Sequence, residues 1–200
     1  MNWGAIQIEA LKKMFLNNDR LEVSKLEEYK TDKKYKTYLD AMPQACNEAI
    51  NYICENGKPL LKEYKLKAKD INFKYKLNQV VPNFKRIYQI VYDGVSNPEW
   101  YVEGNNVLVV KDWTDGDIII YYEAYHDFIN ERTTSSSIIE LDNYSLTLIP
   151  LYIAAELYKD DDVQLSTMYM NEFVTNVSNM KNKDFNPNPR QIESVYGMEW

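Results

Sequence analysis

The sequence predicts an α+β chain whose helical ends bracket a β-rich middle. Apolar residues recur at steps of three and four over 1–57 and again over 142–180, the spacing that turns one side of a helix towards a partner. Over 58–130 the period falls to two, which marks half-buried strands. Turn dipeptides at Asp93-Gly94, Asn97-Pro98, Gly104-Asn105 and Asp115-Gly116 cut that middle into short pieces. The predicted architecture is a small helical bundle from the N- and C-terminal parts, an inserted antiparallel β-sandwich or barrel-like domain, and an extended C-terminal tail over 181–200.

The first helix is expected over Ile6–Asn17, with apolar sets at Ile6, Ala10, Met14 and at Ile8, Leu11, Phe15. Residues 19–31 are charged and lack a period, so they read as a loop or a short helical turn. Residues 33–55 carry Tyr35, Leu39, Met42, Cys46, Ala49, Ile50 and Ile53 at helical spacing. Pro43 interrupts that run, so the helix either kinks there or restarts in a fresh first turn. Asn56-Gly57 supplies a stop.

Tyr64, Leu66 and Ala68 then alternate with Lys65, Lys67 and Lys69, and Phe73, Tyr75 and Leu77 with Lys74 and Lys76. Further strands are expected at 84–92, 99–103, 106–111 and 117–125, with a last short one at 138–141 after the polar loop 130–137. Tyr144 to Met180 reads as two helices around Asp160-Asp161-Asp162. Their apolar positions are Leu148, Leu151, Tyr152, Ala155 and Tyr158, then Leu165, Met168, Tyr169, Phe173 and Val177. Beyond Met180, Pro187 and Pro189 exclude a helix. Yet Ile192, Val195, Tyr196, Met198 and Trp200 are too apolar for a solvated end, and they suit a strand or hook that docks on a partner.

The chain has 200 residues, 45 % of them hydrophobic, enough for a core. Its 17 tyrosines suit either strands or surfaces that become interfaces. The net charge of −7 is uneven: −1 over 1–57, +7 over 58–86 and −13 over 87–200. An acidic chain with one basic segment argues against a dedicated nucleic-acid binder and for a polarised face. Cys46 and Cys54 are the only cysteines. Eight residues apart on one helix they lie about 12 Å from each other, which excludes a bond between them and fits a reducing compartment. The N-terminus lacks a signal-peptide pattern, and no run approaches the roughly 18 apolar residues of a membrane span.

Catalytic chemistry finds little support. His126 is the single histidine, and no nucleophile elbow accompanies it. No His/Cys cluster offers a zinc site. The three aspartates lack the Gly and distal Glu of a calcium loop, and Asp161 or Asp162 is read as the cap of the following helix. No glycine-rich phosphate loop occurs. The expectation is therefore no catalytic residue, no cofactor and no metal. The lysines at 65, 67, 69, 74 and 76 would share one sheet face if their two strands pair. Such a face meets phosphates, binds an acidic protein surface such as that of a neighbouring copy, or is simply solvated to block strand pairing.

The run LIPLYIAAELYKDDDVQLSTMYMNEF, residues 148–173, resembles the C-terminal helical pair of head–tail connector proteins of tailed bacteriophages, also called adaptor or head-completion proteins. ALKKMFLNN, YKTYLDAMPQACNEAINYI and DIIIYYEAYHDFI are similar to the earlier parts of that family, so the likeness covers about residues 5–180. The resemblance implies a non-enzymatic structural protein of the virion neck, made in the host cytoplasm. It implies a ring of identical copies, commonly twelve, that sits under the portal protein and extends the DNA channel. The ring would present the attachment surface to a tail or stopper protein, with passing contact to packaged DNA and none to a membrane. The large β insert and the long tail depart from the simplest members. Two rivals stand beside this reading: a tail or neck accessory module that binds a protein through the β insert, and an enzyme built on His126 or Asp160 to Asp162.

Overall fold

In this computed structural model the described residues are 1–15, 20–68, 74–93, 95–96, 100–104, 107–110 and 116–184. Helix α1, Trp3–Met14, starts where the Asn2 side chain accepts a hydrogen bond from the Ala5 amide at 2.9 Å, which satisfies one orphan N–H of the first turn. Lys12 and Lys13 occupy its last turn, where cations suit the dipole. A 3₁₀ turn at Val23–Lys25 and the short α2, Leu26–Tyr29, follow. Helix α3, Lys33–Asn56, is capped by Asp32. It runs through Pro43 without a restart, because Met42, Cys46, Ala49, Ile50 and Ile53 around it are buried and hold both halves.

Helix α5, Asn143–Leu157, packs against α1, α3 and α6 (Val163–Asp184). Here the structure differs from the one-sided stripe expected. Ser145, Leu146, Leu148, Ile149, Leu151, Ile153, Ala154 and Ala155 are all buried, so α5 is enclosed on most sides. Helix α6 buries Tyr169, Phe173 and Val177 but leaves Met168 exposed, against expectation. Asp162 caps it by accepting from the Gln164 and Leu165 amides at 3.1 and 3.0 Å. The helix continues to Asp184, past the expected end at Met180, and so takes in 181–184. At the other end of α3 an aromatic cluster ties three helices together: the Phe15 ring meets Tyr35, Tyr38 and Tyr158 edge-on at 5.1–6.0 Å.

The strands are β1 (Leu61–Ala68), β2 (Lys74–Lys76), β3 (Phe84–Tyr92), β4 (Val95–Ser96), β5 (Trp100–Glu103), β6 (Val107–Val110) and β7 (Gly116–Ala124), with a helical turn α4, Leu77–Val80, after β2. They form two antiparallel sheets, ordered β1-β7-β3-β4 and β2-β6-β5. The pairing of β1 with β2, on which a shared lysine face depended, is absent among the described residues: β1 pairs with β7, Leu61 opposite Glu123 through Ala68 opposite Gly116. Local alternation fixes which side chains face the core, not which strand lies beside them. Nor is 138–141 a strand; Ile138 makes a single bridge with Asn2. Residues of both sheets share a buried cluster that includes Tyr75, Ile90, Leu108, Ile118, Ile120 and Tyr122. The fold is α+β, with a helical core and a second core among the strands.

Candidate interaction surfaces

The connection from β7 to α5, residues 125–142, is long for a segment without helix or strand, and such segments are commonly functional when ordered. This one is tied down along its length. Asn47, on the buried side of α3 and 5 % exposed, donates to the Ile129 carbonyl at 2.7 Å and accepts from the Ile129 amide at 3.0 Å. It therefore serves Ile129 as a neighbouring strand would. The Asn130 amide donates to Thr133 Oγ1 at 3.0 Å, and Asn130 Oδ1 accepts from the Arg132 amide at 2.8 Å, closing a turn. The Trp3 and Gly4 amides of the first turn of α1 donate to the carbonyls of Ser137 and Ser135, both at 2.8 Å. The helix and the loop satisfy each other. A Cβ on Gly4 would lie 2.9 Å from Ser135 Cβ, so only glycine permits this approach.

That anchoring decides what faces outward. Ile129 and Ile139 point into the helical core, whereas Phe128 is 72 % and Ile138 79 % exposed. Two clefts flank Ile129. The larger, about 620 Å³, is walled by Asp40, Ala41, Pro43 and Gln44 of α3 and by Phe128 and Arg132 of the loop. The smaller, about 350 Å³, shares Phe128 and Arg132 and reaches Ile138 and Glu140. Glu140 is held in turn by an ion pair with Lys62 of β1, and hydrogen bonding to Glu140 raises the Lys62 ammonium pKa. Two large apolar side chains thus stand exposed on a fixed backbone beside two clefts.

The expected basic face is weaker than its sequence. Lys65 and Lys67 lie exposed on β1 of one sheet, Lys74 and Lys76 exposed on β2 of the other, and Lys69 lies outside the described residues. Lys65 pairs with Glu63 at 3.4 Å, Lys67 with Asp117 at 3.9 Å, and Lys74 with Glu103. Acids beside three of these lysines reduce the positive field, and such exposed pairs contribute little to stability. The tail residues Ile192, Val195, Tyr196, Met198 and Trp200 lie outside the described residues.

His126 Nδ1 sits 2.9 Å from the Asp127 carbonyl oxygen. Asp161 accepts a hydrogen bond at 2.7 Å from the Tyr38 hydroxyl, whose pKa that bond and burial push up to about 12. Among the described residues no group of three His, Cys, Asp or Glu is placed to hold a metal ion. Cys46 and Cys54 are free thiols, both pushed up by burial. No helix among the described residues is long and apolar enough to cross a membrane. No protein-family model matches the chain, and no curated protein matches it significantly.

Sequence reasoning missed Asn47, Phe128, Arg132 and Ile138. A signal for Asn47 was present: it is an amide three residues before Ile50, on a helix side otherwise apolar. The doublets Phe128-Ile129 and Ile138-Ile139 place one apolar residue inward and one outward, which no helix or strand period records.

Proposed function

We propose that this chain is a structural virion protein, a head–tail connector that forms a ring under the portal, extends the DNA channel and offers an attachment surface for the tail or a stopper protein. In this reading a helical bundle carries an inserted β-sandwich, the tail beyond α6 reaches a neighbour, and no catalysis is involved. The observation that carries it is the anchored loop 125–142 with Phe128 and Ile138 exposed beside two clefts. A ring is built from heterologous contacts, in which one patch of a copy meets a different patch of the next. A fixed apolar receiving surface and an apolar C-terminal segment are two such unlike patches. The resemblance of residues 148–173 to connector helices supports the same reading. Of the lysines in the expected basic face, Lys76 is the one without an ion pair among the described residues, and it is left to meet DNA in passing.

Deleting the gene from a phage that encodes this chain tests the proposal. Filled heads and free tails that fail to join are expected, with joining restored by the gene in trans. Intact infectious particles from the deletion would overturn it.

A further inference from the structure

The geometry points to an occupant for the clefts beside Ile129: the apolar segment 185–200 of a neighbouring copy of this chain. The inference rests on the proposed connector reading and specifies the contact between its copies. The receiving side is built before any partner arrives, since Asn47 fixes Ile129 and thereby holds Phe128 out at the rim shared by both clefts. The segment outside the described residues is 16 residues long, about 50 Å if extended. Its last nine positions hold Ile192, Val195, Tyr196, Met198 and Trp200, a spacing that offers large apolar anchors to successive hollows.

The course of α6 favours a neighbour over the same chain. Val177 and Met180 pack beside Gly57, so α6 ends next to the C-terminal end of α3. Four more helical residues carry the backbone about 6 Å onward to Asp184. The wall of the larger cleft, Asp40 to Gln44, lies back along α3 by about 20–25 Å from Gly57. To reach its own cleft the chain would have to turn back and spend about half or more of its extended length running along α3. A copy set alongside needs no reversal.

Cysteine trapping on full-length protein tests this. Gln44→Cys marks the cleft wall in one preparation and Ser194→Cys marks the tail in another; Cys46 is buried and Cys54 half-buried. Mixed under mild oxidation, which traps brief encounters without a stable ring, the two should give a disulfide-linked heterodimer. Val163→Cys, exposed at the other end of α6, should give only background in place of Gln44→Cys, and Phe128→Asp added to the cleft partner should abolish the band. A bond formed only within one chain carrying both cysteines would overturn the inference, as would a heterodimer no stronger than the Val163 background. Portal rings that form without this cross-link would reject the seat and keep the connector. A cross-link in a protein that never associates with a portal would do the reverse.

Discussion

Replacing Asn47 by alanine removes both partners of the Ile129 backbone at once. The Ile129 amide and carbonyl are then left without their bonds at a residue 5 % exposed. Each buried orphan costs about 1–3 kcal/mol, so a loop that stays in place loses about 2–6 kcal/mol. The loop can instead lift away, which gives up the burial of Ile129, worth about 1.5–3 kcal/mol, together with the bonds. The cheaper route sets the outcome, so the expected loss is about 2–4 kcal/mol, a large part of an ordinary domain's stability. Urea unfolding reads it as a lowered midpoint at unchanged slope, and amide exchange should speed up at Ile129. A loss under about 0.5 kcal/mol, as for an ordinary surface change, with Ile129 exchange unaltered, would refute the clamp. Asn47→Asp adds a sign. An ionised aspartate still accepts from the Ile129 amide but has no proton for the carbonyl, whereas the protonated acid makes both bonds. Burial raises its folded pKa, so its stabilising contribution is present below the unfolded value, about 3.9, and is lost as pH rises through the folded one. The variant should therefore approach the parent in acid and fall behind it at neutral pH.

Asp142→Ala should cost about 1 kcal/mol in chemical denaturation, since Asp142 caps α5 through the Tyr144 and Ser145 amides and the Ser145 hydroxyl. Burial alone would raise this carboxyl, but the bonds from Ser145, the nearby Lys58 charge and the Tyr144 amide together outweigh it and hold it below the ordinary value. The gap between parent and variant should thus be present above the unfolded pKa and close as pH falls through the folded one. Gly4→Ala brings a methyl to 2.9 Å from Ser135 Cβ and 3.1 Å from its carbonyl oxygen. Overpacking of about 1–3 kcal/mol should exceed the roughly 1 kcal/mol that alanine gains in a helix, so the melting temperature should drop and the Trp3 and Gly4 amides should exchange faster.

The long helices were legible because their apolar spacing repeats over several turns, and α3 kept its course through Pro43 because buried neighbours outweigh one missing N–H. The strands were legible as strands, since alternation of Tyr64 and Leu66 with lysines is local. Their partners were not: β1 finds β7 some fifty residues on, and nothing in the LKEYKLKA pattern names that mate. The enclosed state of α5 follows from its place among three helices, which depends on the whole chain. The anchored loop 125–142 was hidden for the same reason, because its order comes from Asn47, 82 residues before Ile129. The lysine stripe was visible, while the acids that balance it come from Glu63, Asp117 and Glu103, two of them on other strands.

The most direct test of the assembly role is the particle mass of the purified full-length chain, alone and mixed with the portal protein encoded in the same genome. A mass that rises on mixing to that of a portal carrying a closed ring of copies is the expected result. A chain that keeps its monomer mass, with the portal unchanged beside it, would contradict the account.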